Sequence, residues 1–261
     1  MDRRAFLKAA GIGGGLLMGG GALYAVMHDA DPLADHKAAT QAVLTERYGA
    51  SSTKRLMACV LAECEVLQRR APDIGGEANM FTQWLTYGVY YLALYRVLAA
   101  NGASLEAGGA VIYDVFQAQA DYPAWLMRAV GRLEYSRAYQ KRLHAAVEAT
   151  QRRRYDGDWV ASWVEGDGTT FDYGTDIHEC GICKLYAAEG VPELAPYLCL
   201  SDEVGSRATG RGLVRHMTVA EGFPLCDFRY KWGRETYVAP LRDGWPPQFG
   251  RADAGGCRAF I

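Results

Sequence analysis

The strongest chemical signal in this chain is a set of four cysteines in its C-terminal half: Cys180, Cys183, Cys199 and Cys226. Cys180 and Cys183 form a C-x-x-C pair at an expected strand-to-helix junction, where exposed backbone N–H groups favour a thiolate. His178 and Glu179 directly precede the pair. Asp202 follows Cys199 at i+3, a spacing that on a helix lets the two side chains share a face. Cys226 adjoins Asp227 and stands three residues before Arg229. Three chemistries fit such a set. The four thiolates, with His178 or a carboxylate, could hold a soft divalent metal such as zinc, although the second pair lacks zinc-ribbon spacing. Cys180 and Cys183 could instead be a structural or redox disulfide. Or one cysteine could be an activated nucleophile with His178 or Asp202 as its base. Against all three stands the reading of Cys199 and Cys226 as small buried hydrophobes.

Two kinds of element must position these residues. From Asp35 to about Arg154 the apolar spacing is helical. Leu56, Val60, Leu61, Cys64 and Leu67 recur at three- and four-residue steps, as do Phe81, Leu85, Val89, Leu92 and Val97. Asn101-Gly102 stops the second run, and Ala103-Ser104 opens a third through Val111, Val115 and Phe116. A further helix is expected from about Leu133 to Ala149, and Pro72-Asp73-Ile74-Gly75-Gly76 reads as a loop. After Arg154 the pattern changes. Trp159 to Val164 and Phe171 to Ile177 read as a hairpin across Gly166-Asp167-Gly168. A short helix follows from Gly181 to Glu189, then one opened by Pro192 and running to about Arg207. Leu213 to Ala220 and Leu225 to Lys231 read as a second hairpin around Gly222. The class is α+β: an N-terminal helical bundle packed on a small antiparallel sheet with interposed helices. We expect one domain over residues 35–232, and a Gly- and Pro-rich tail over 233–261 that wraps the surface.

Residues 1–30 carry paired arginines, Arg3-Arg4, then Phe6-Leu7-Lys8 and an apolar, glycine-rich stretch. This looks like a twin-arginine export signal, read by the export machinery, and it predicts a periplasmic or otherwise exported protein. Neither Leu23-Tyr24-Ala25 nor His28-Asp29-Ala30 is a good cleavage site, which keeps an uncleaved membrane tether open. Seven cysteines, an odd number, would then face an oxidising compartment. Half of the 261 residues are hydrophobic and the formal net charge is -2. Such a chain can bury a full core, and it lacks the basic footprint of nucleic-acid binding. The run Arg152-Arg153-Arg154 reads as a solvated helix end.

Several of these residues together resemble the L-2-amino-thiazoline-4-carboxylic acid hydrolase family. They are Glu179-Cys180-Gly181-Ile182-Cys183-Lys184-Leu185, Pro192-Glu193-Leu194, Leu198-Cys199, Asp202, Arg215, Thr218, Gly222 and Cys226-Asp227-Phe228-Arg229. Ile74-Gly75-Gly76, Asn79 and Ala93-Leu94-Tyr95-Arg96 extend the likeness into the helical half. The resemblance implies a hydrolase that opens a small cyclic amidine at a C–N bond, giving S-carbamoyl-cysteine in the name-giving reaction. That chemistry needs an activated water, a base, an acid for the ring nitrogen and a cation for the substrate carboxylate. Asp202, Glu179 and His178 are the catalytic candidates, and Arg215, Arg229 and Asn79 the substrate-binding ones. The last part also resembles the 4-vinyl reductase domain, which implies an alternative: a non-catalytic sensor or carrier of a small molecule, metal or tetrapyrrole. In that comparison Arg215 and Thr218 fall where the domain has a carboxylate and a thiolate, a departure from its zinc site.

Overall fold

The computed structural model describes residues 31–241; the expected export signal and most of the expected tail lie outside them. The chain runs through five helices, α1 (Ala34–Arg70), α2 (Thr82–Ala100), α3 (Leu105–Ala120), α4 (Ala124–Glu134) and α5 (Arg137–Thr150). Strands β1 (Val160–Glu165) and β2 (Tyr173–Glu179) follow, then helices α6 (Gly181–Ala188), α7 (Ala195–Cys199) and α8 (Ser201–Thr209). Strands β3 (Leu213–Arg215), β4 (Cys226–Tyr230) and β5 (Tyr237–Val238) complete a five-stranded sheet in the order β1-β2-β4-β3-β5.

The fold is α+β, with α1–α5 ahead of the sheet and α6–α8 between its second and third strands. Helix α2 is its centre. It is apolar on nearly every side, with Tyr90, Leu92, Ala93 and Leu94 fully buried, as a helix surrounded by others must be. Each buried leucine there contributes about 1.5–3 kcal/mol. Helix α1 wraps it on one side and bends where Gly49 takes φ 76°, a conformation that interrupts the helix and that glycine adopts without a steric penalty. Helix α6 packs on α2 where Gly88 has no side chain, so that Ile182 closes in, and the Tyr186 hydroxyl donates to the Gly88 carbonyl at 2.8 Å.

Five details differ from the sequence expectations, the first being that the helix expected from Pro192 to about Arg207 is divided into a 3-10 turn (Pro192–Leu194), α7 and α8. Leu61 lies on the outer side of α1, 38% exposed. The single helix expected over Leu133 to Ala149 is broken at Tyr135–Ser136, because the Ser136 hydroxyl accepts the Tyr139 N–H and starts α5 afresh. The second hairpin is shorter than expected, with a loop and one 3-10 turn (Val219–Glu221) between β3 and β4. The sheet is mixed rather than antiparallel: residues 237–238, in the expected surface tail, pair parallel with β3 as an edge strand.

Register sets which side chains face the helices. Thr175 opposes Phe228 and Ile177 opposes Cys226 on one face. Their neighbours Asp176 and Asp227 oppose each other on the other face, as the two-residue period of a strand requires. That carboxylate pair is tolerated because each has its own partner. Asp176 accepts from Arg229 at 2.7 Å, and Asp227 accepts the His216 and Met217 N–H groups at 2.8 and 2.7 Å.

Candidate active site

A cavity of about 360 Å³ lies between the helical layer and the inner face of the sheet. That is within the size range of small-molecule sites. All four cysteines of the C-terminal half line it, together with Asp202 and Arg215.

Cys180 is the N-cap of α6, in extended conformation at the end of β2. The neighbouring Cys183 thiol and the Ile182 and Cys183 backbone N–H groups at the helix start lower its pKa in spite of burial. Cys183, beside it and buried, is pushed the other way. Burial raises Cys199 strongly, and it pushes Cys226 up to about 12 even though the Val219 N–H donates to its sulfur at 3.2 Å. The four cysteines are therefore unequal. One is shifted towards the thiolate and three are held more firmly as thiols. We expect iodoacetamide at about pH 7 to alkylate Cys180 more than tenfold faster than Cys183, Cys199 or Cys226. Peptide mapping by mass spectrometry checks this; equal labelling would refute the distinction.

Asp202, in the first turn of α8, is ion-paired to Arg215 on β3. The Arg215 side chain is only 2% exposed, whereas that of Asp202 is 35% open, on the side that lines the cavity. Arg215 also donates to the Cys199 carbonyl at 3.0 Å and lies over the Phe228 ring at 5.3 Å. Burial raises the Asp202 pKa above the ordinary carboxylate value, and Arg215 and Arg211 only partly offset it. For Arg215 burial works against the charge, but Asp202 together with Cys199, Cys226 and Tyr230 outweighs it and the guanidinium stays protonated. A second ion pair that sequence spacing could not reveal, Arg211 with Glu134 at 3.2 Å, lines the same end. Its members come from α4 and from the turn after α8, far apart in the chain.

The other predicted site residues are not brought here. His178 is exposed on the outer face of the sheet and hydrogen-bonds Ser162 at 2.9 Å. Glu179 pairs with Lys184 at 2.6 Å and with Arg153. Arg229 is on the outer face, paired with Asp176 and lying over the Phe171 ring. Asn79 donates to the Ile74 carbonyl at 2.7 Å and to Asp158 at 2.8 Å, which ties the loop before α2 to the start of β1. Nor do the cysteines make a metal set. Among the described residues no three His, Cys, Asp or Glu side chains come together as ion ligands. Cys226 is engaged by a backbone N–H.

At its far end the cavity meets groups that the sequence reading did not single out. His36 on α1 stacks on Tyr87 with ring centroids 4.1 Å apart, and its Nδ1 is 2.8 Å from the Tyr91 hydroxyl. Tyr91 donates to Gln119 Oε1 at 3.1 Å. The available signal was a tyrosine pair at i and i+4 inside a strongly apolar helix. Burial lowers the His36 pKa from 6.5 to about 4. Between those values the unfolded chain binds more protons than the folded one, so stability falls as pH drops from 6.5 towards 4, by roughly 3 kcal/mol from this group. Urea unfolding across that range should show the loss and His36→Phe should remove most of it; an unchanged profile in the variant would count against it.

Among the described residues no helix is long and apolar enough to cross a membrane. Residues 84–230 match the family model described as L-2-amino-thiazoline-4-carboxylic acid hydrolase, a span that contains the whole cysteine end of the cavity. No curated protein and no solved structure matches the chain.

Proposed function

The chain belongs to the L-2-amino-thiazoline-4-carboxylic acid hydrolase family, and from that premise we propose that it opens a small cyclic amidine by hydrolysis at a C–N bond. The observation that carries this reading is Asp202: a carboxylate open to the cavity, raised in pKa and locked to a buried arginine. In the proposed reaction Asp202 takes a proton from water as the oxygen adds to the amidine carbon. The bond from that carbon to the ring nitrogen then breaks, and the nitrogen leaves with the proton returned by Asp202. The sulfur keeps its carbon, so the product is an S-carbamoyl thiol with a free amine.

Arg215 is the positioning residue for Asp202. With its side chain only 2% exposed, it has little surface left to clamp a substrate carboxylate. Arg211, 20% open, is the cation better placed for that task. Cys180, the cysteine shifted towards the thiolate, lines the same space and supports a covalent variant of the reaction: sulfur adds to the amidine carbon, the ring nitrogen leaves, and water releases the product. An exported location remains part of the proposal, supported by Arg3-Arg4 and the apolar stretch after them.

The test is ring opening of 2-amino-thiazoline-4-carboxylate and its close cyclic amidine relatives by purified protein, with Asp202→Asn and Cys180→Ser beside it. Turnover lost in Asp202→Asn supports the water route, and loss confined to Cys180→Ser supports the covalent one. Tight binding without turnover would replace the hydrolase with a small-molecule carrier.

A further inference from the structure

The cavity continues well past the Asp202 end. Phe81, Trp84 and Trp159, whose rings pack on one another with centroids 5.1–6.4 Å apart, line it as well, and so do His36, Tyr91 and Gln119. A single five-membered ring acid fills only part of a space of about 360 Å³. The three packed rings form one apolar wall of that space.

The hydrogen-bond directions at the far end are determined by the contacts there. Tyr91 uses its only O–H on Gln119 Oε1, so the nitrogen facing it, His36 Nδ1, must be the donor of the 2.8 Å bond. In a neutral imidazole the other nitrogen, Nε2, is then an acceptor, and among the described residues no side chain or backbone N–H donates to it. The Gln119 amide, whose oxygen is taken, keeps its N–H donors, and both residues line the cavity. Burial keeps the His36 ring neutral above about pH 4, so this polarity holds across ordinary conditions. An acceptor and a donor lining one cavity are the complement of a hydroxyl group.

We infer that the substrate is an extended molecule: a cyclic amidine acid bearing an aromatic arm, whose terminal hydroxyl donates to His36 and accepts from Gln119. The inference rests on the hydrolase reading for the ring end alone; the arm station stands on its own geometry.

Calorimetric titration of the full chain with three probes tests it: 2-amino-thiazoline-4-carboxylate, the same acid carrying a benzyl arm, and the same acid carrying a 4-hydroxybenzyl arm. Each arm is placed in turn on the exocyclic nitrogen and on the ring carbon beside sulfur. We expect the benzyl compound to bind more tightly than the bare acid, and the hydroxybenzyl compound roughly tenfold more tightly again, the worth of a satisfied buried hydrogen-bond pair. That last preference should collapse towards unity in His36→Phe, which keeps a ring against Tyr87 and loses the acceptor. Gln119→Leu gives an independent check that leaves His36 in place. The inference is overturned if the hydroxyl brings no gain, or if its gain survives both substitutions. Ring opening measured on the same probes keeps the two claims apart. Turnover without the affinity ranking overturns the arm station alone, and the ranking without turnover upholds the station while removing the hydrolase.

Discussion

Asp202→Asn lowers ring-opening turnover by roughly 10²–10⁴-fold, the range expected when a positioned general base is removed. The substitution is nearly isosteric, and the amide oxygen can still accept from the Arg215 guanidinium, so the geometry of α8 against β3 is kept. What is lost is the site for a proton. The effect therefore falls on kcat more than on KM. The pH profile adds a second readout. Wild-type kcat/KM rises through the Asp202 pKa, which burial places above the ordinary carboxylate value, and this limb vanishes in the variant. Retention of activity within about fivefold, well short of a general-base loss, would remove Asp202 from the chemistry.

Arg215→Met destabilises the fold by about 1–3 kcal/mol, less than the full cost of orphaning a buried ion because the Asp202 left behind is 35% exposed. The arginine side chain is 2% exposed and serves three groups: the Asp202 carboxylate, the Cys199 carbonyl and the Phe228 ring. Methionine fills the volume and satisfies none of the polar partners. The stronger form of the prediction uses the double variant Arg215→Met with Asp202→Leu. If the pair is a functional device rather than a source of stability, removing both charges recovers most of the loss, because the desolvation of each ion disappears with it. Urea unfolding of wild type, single and double variants decides the matter. A single variant as stable as wild type, or a double variant weaker than the single, would refute this account.

Much of the layout could be read from residue patterns. The change from helical to alternating apolar spacing after Arg154 located the hairpin. The C-x-x-C pair was correctly placed at the junction of β2 and α6, because a strand ending before a glycine-led helix is a local event. The errors came from relations that are not local. His178 was grouped with the cysteines by its closeness in sequence, yet Tyr173, Thr175 and Ile177 already fill the inward positions of β2, and the alternation turns His178 outward. Arg229 is turned away by the same parity, between inward Phe228 and Tyr230. Glu179 would point inward if the alternation ran on, but the β1–β2 register shifts at Val160/Ala161 and its carboxylate goes to Lys184 and Arg153. Asp202 and Arg215 were each noticed, but not as partners, since only the packing of α8 on β3 joins them. The His36 station drew no attention because α1, α2 and α3 each contribute one residue to it.

The cavity also bears on how the protein holds together. Interiors of folded domains are close-packed, and a hollow between a helical layer and a sheet forgoes contacts that packed side chains would make. The residues around this hollow run from Pro32 at the start of the described chain to Tyr230 near its end. A ligand seated there touches both layers at once and is bound only by the folded chain, so its binding energy adds directly to the folding equilibrium. In energetic terms the substrate is the part of the hydrophobic core that the chain does not itself encode.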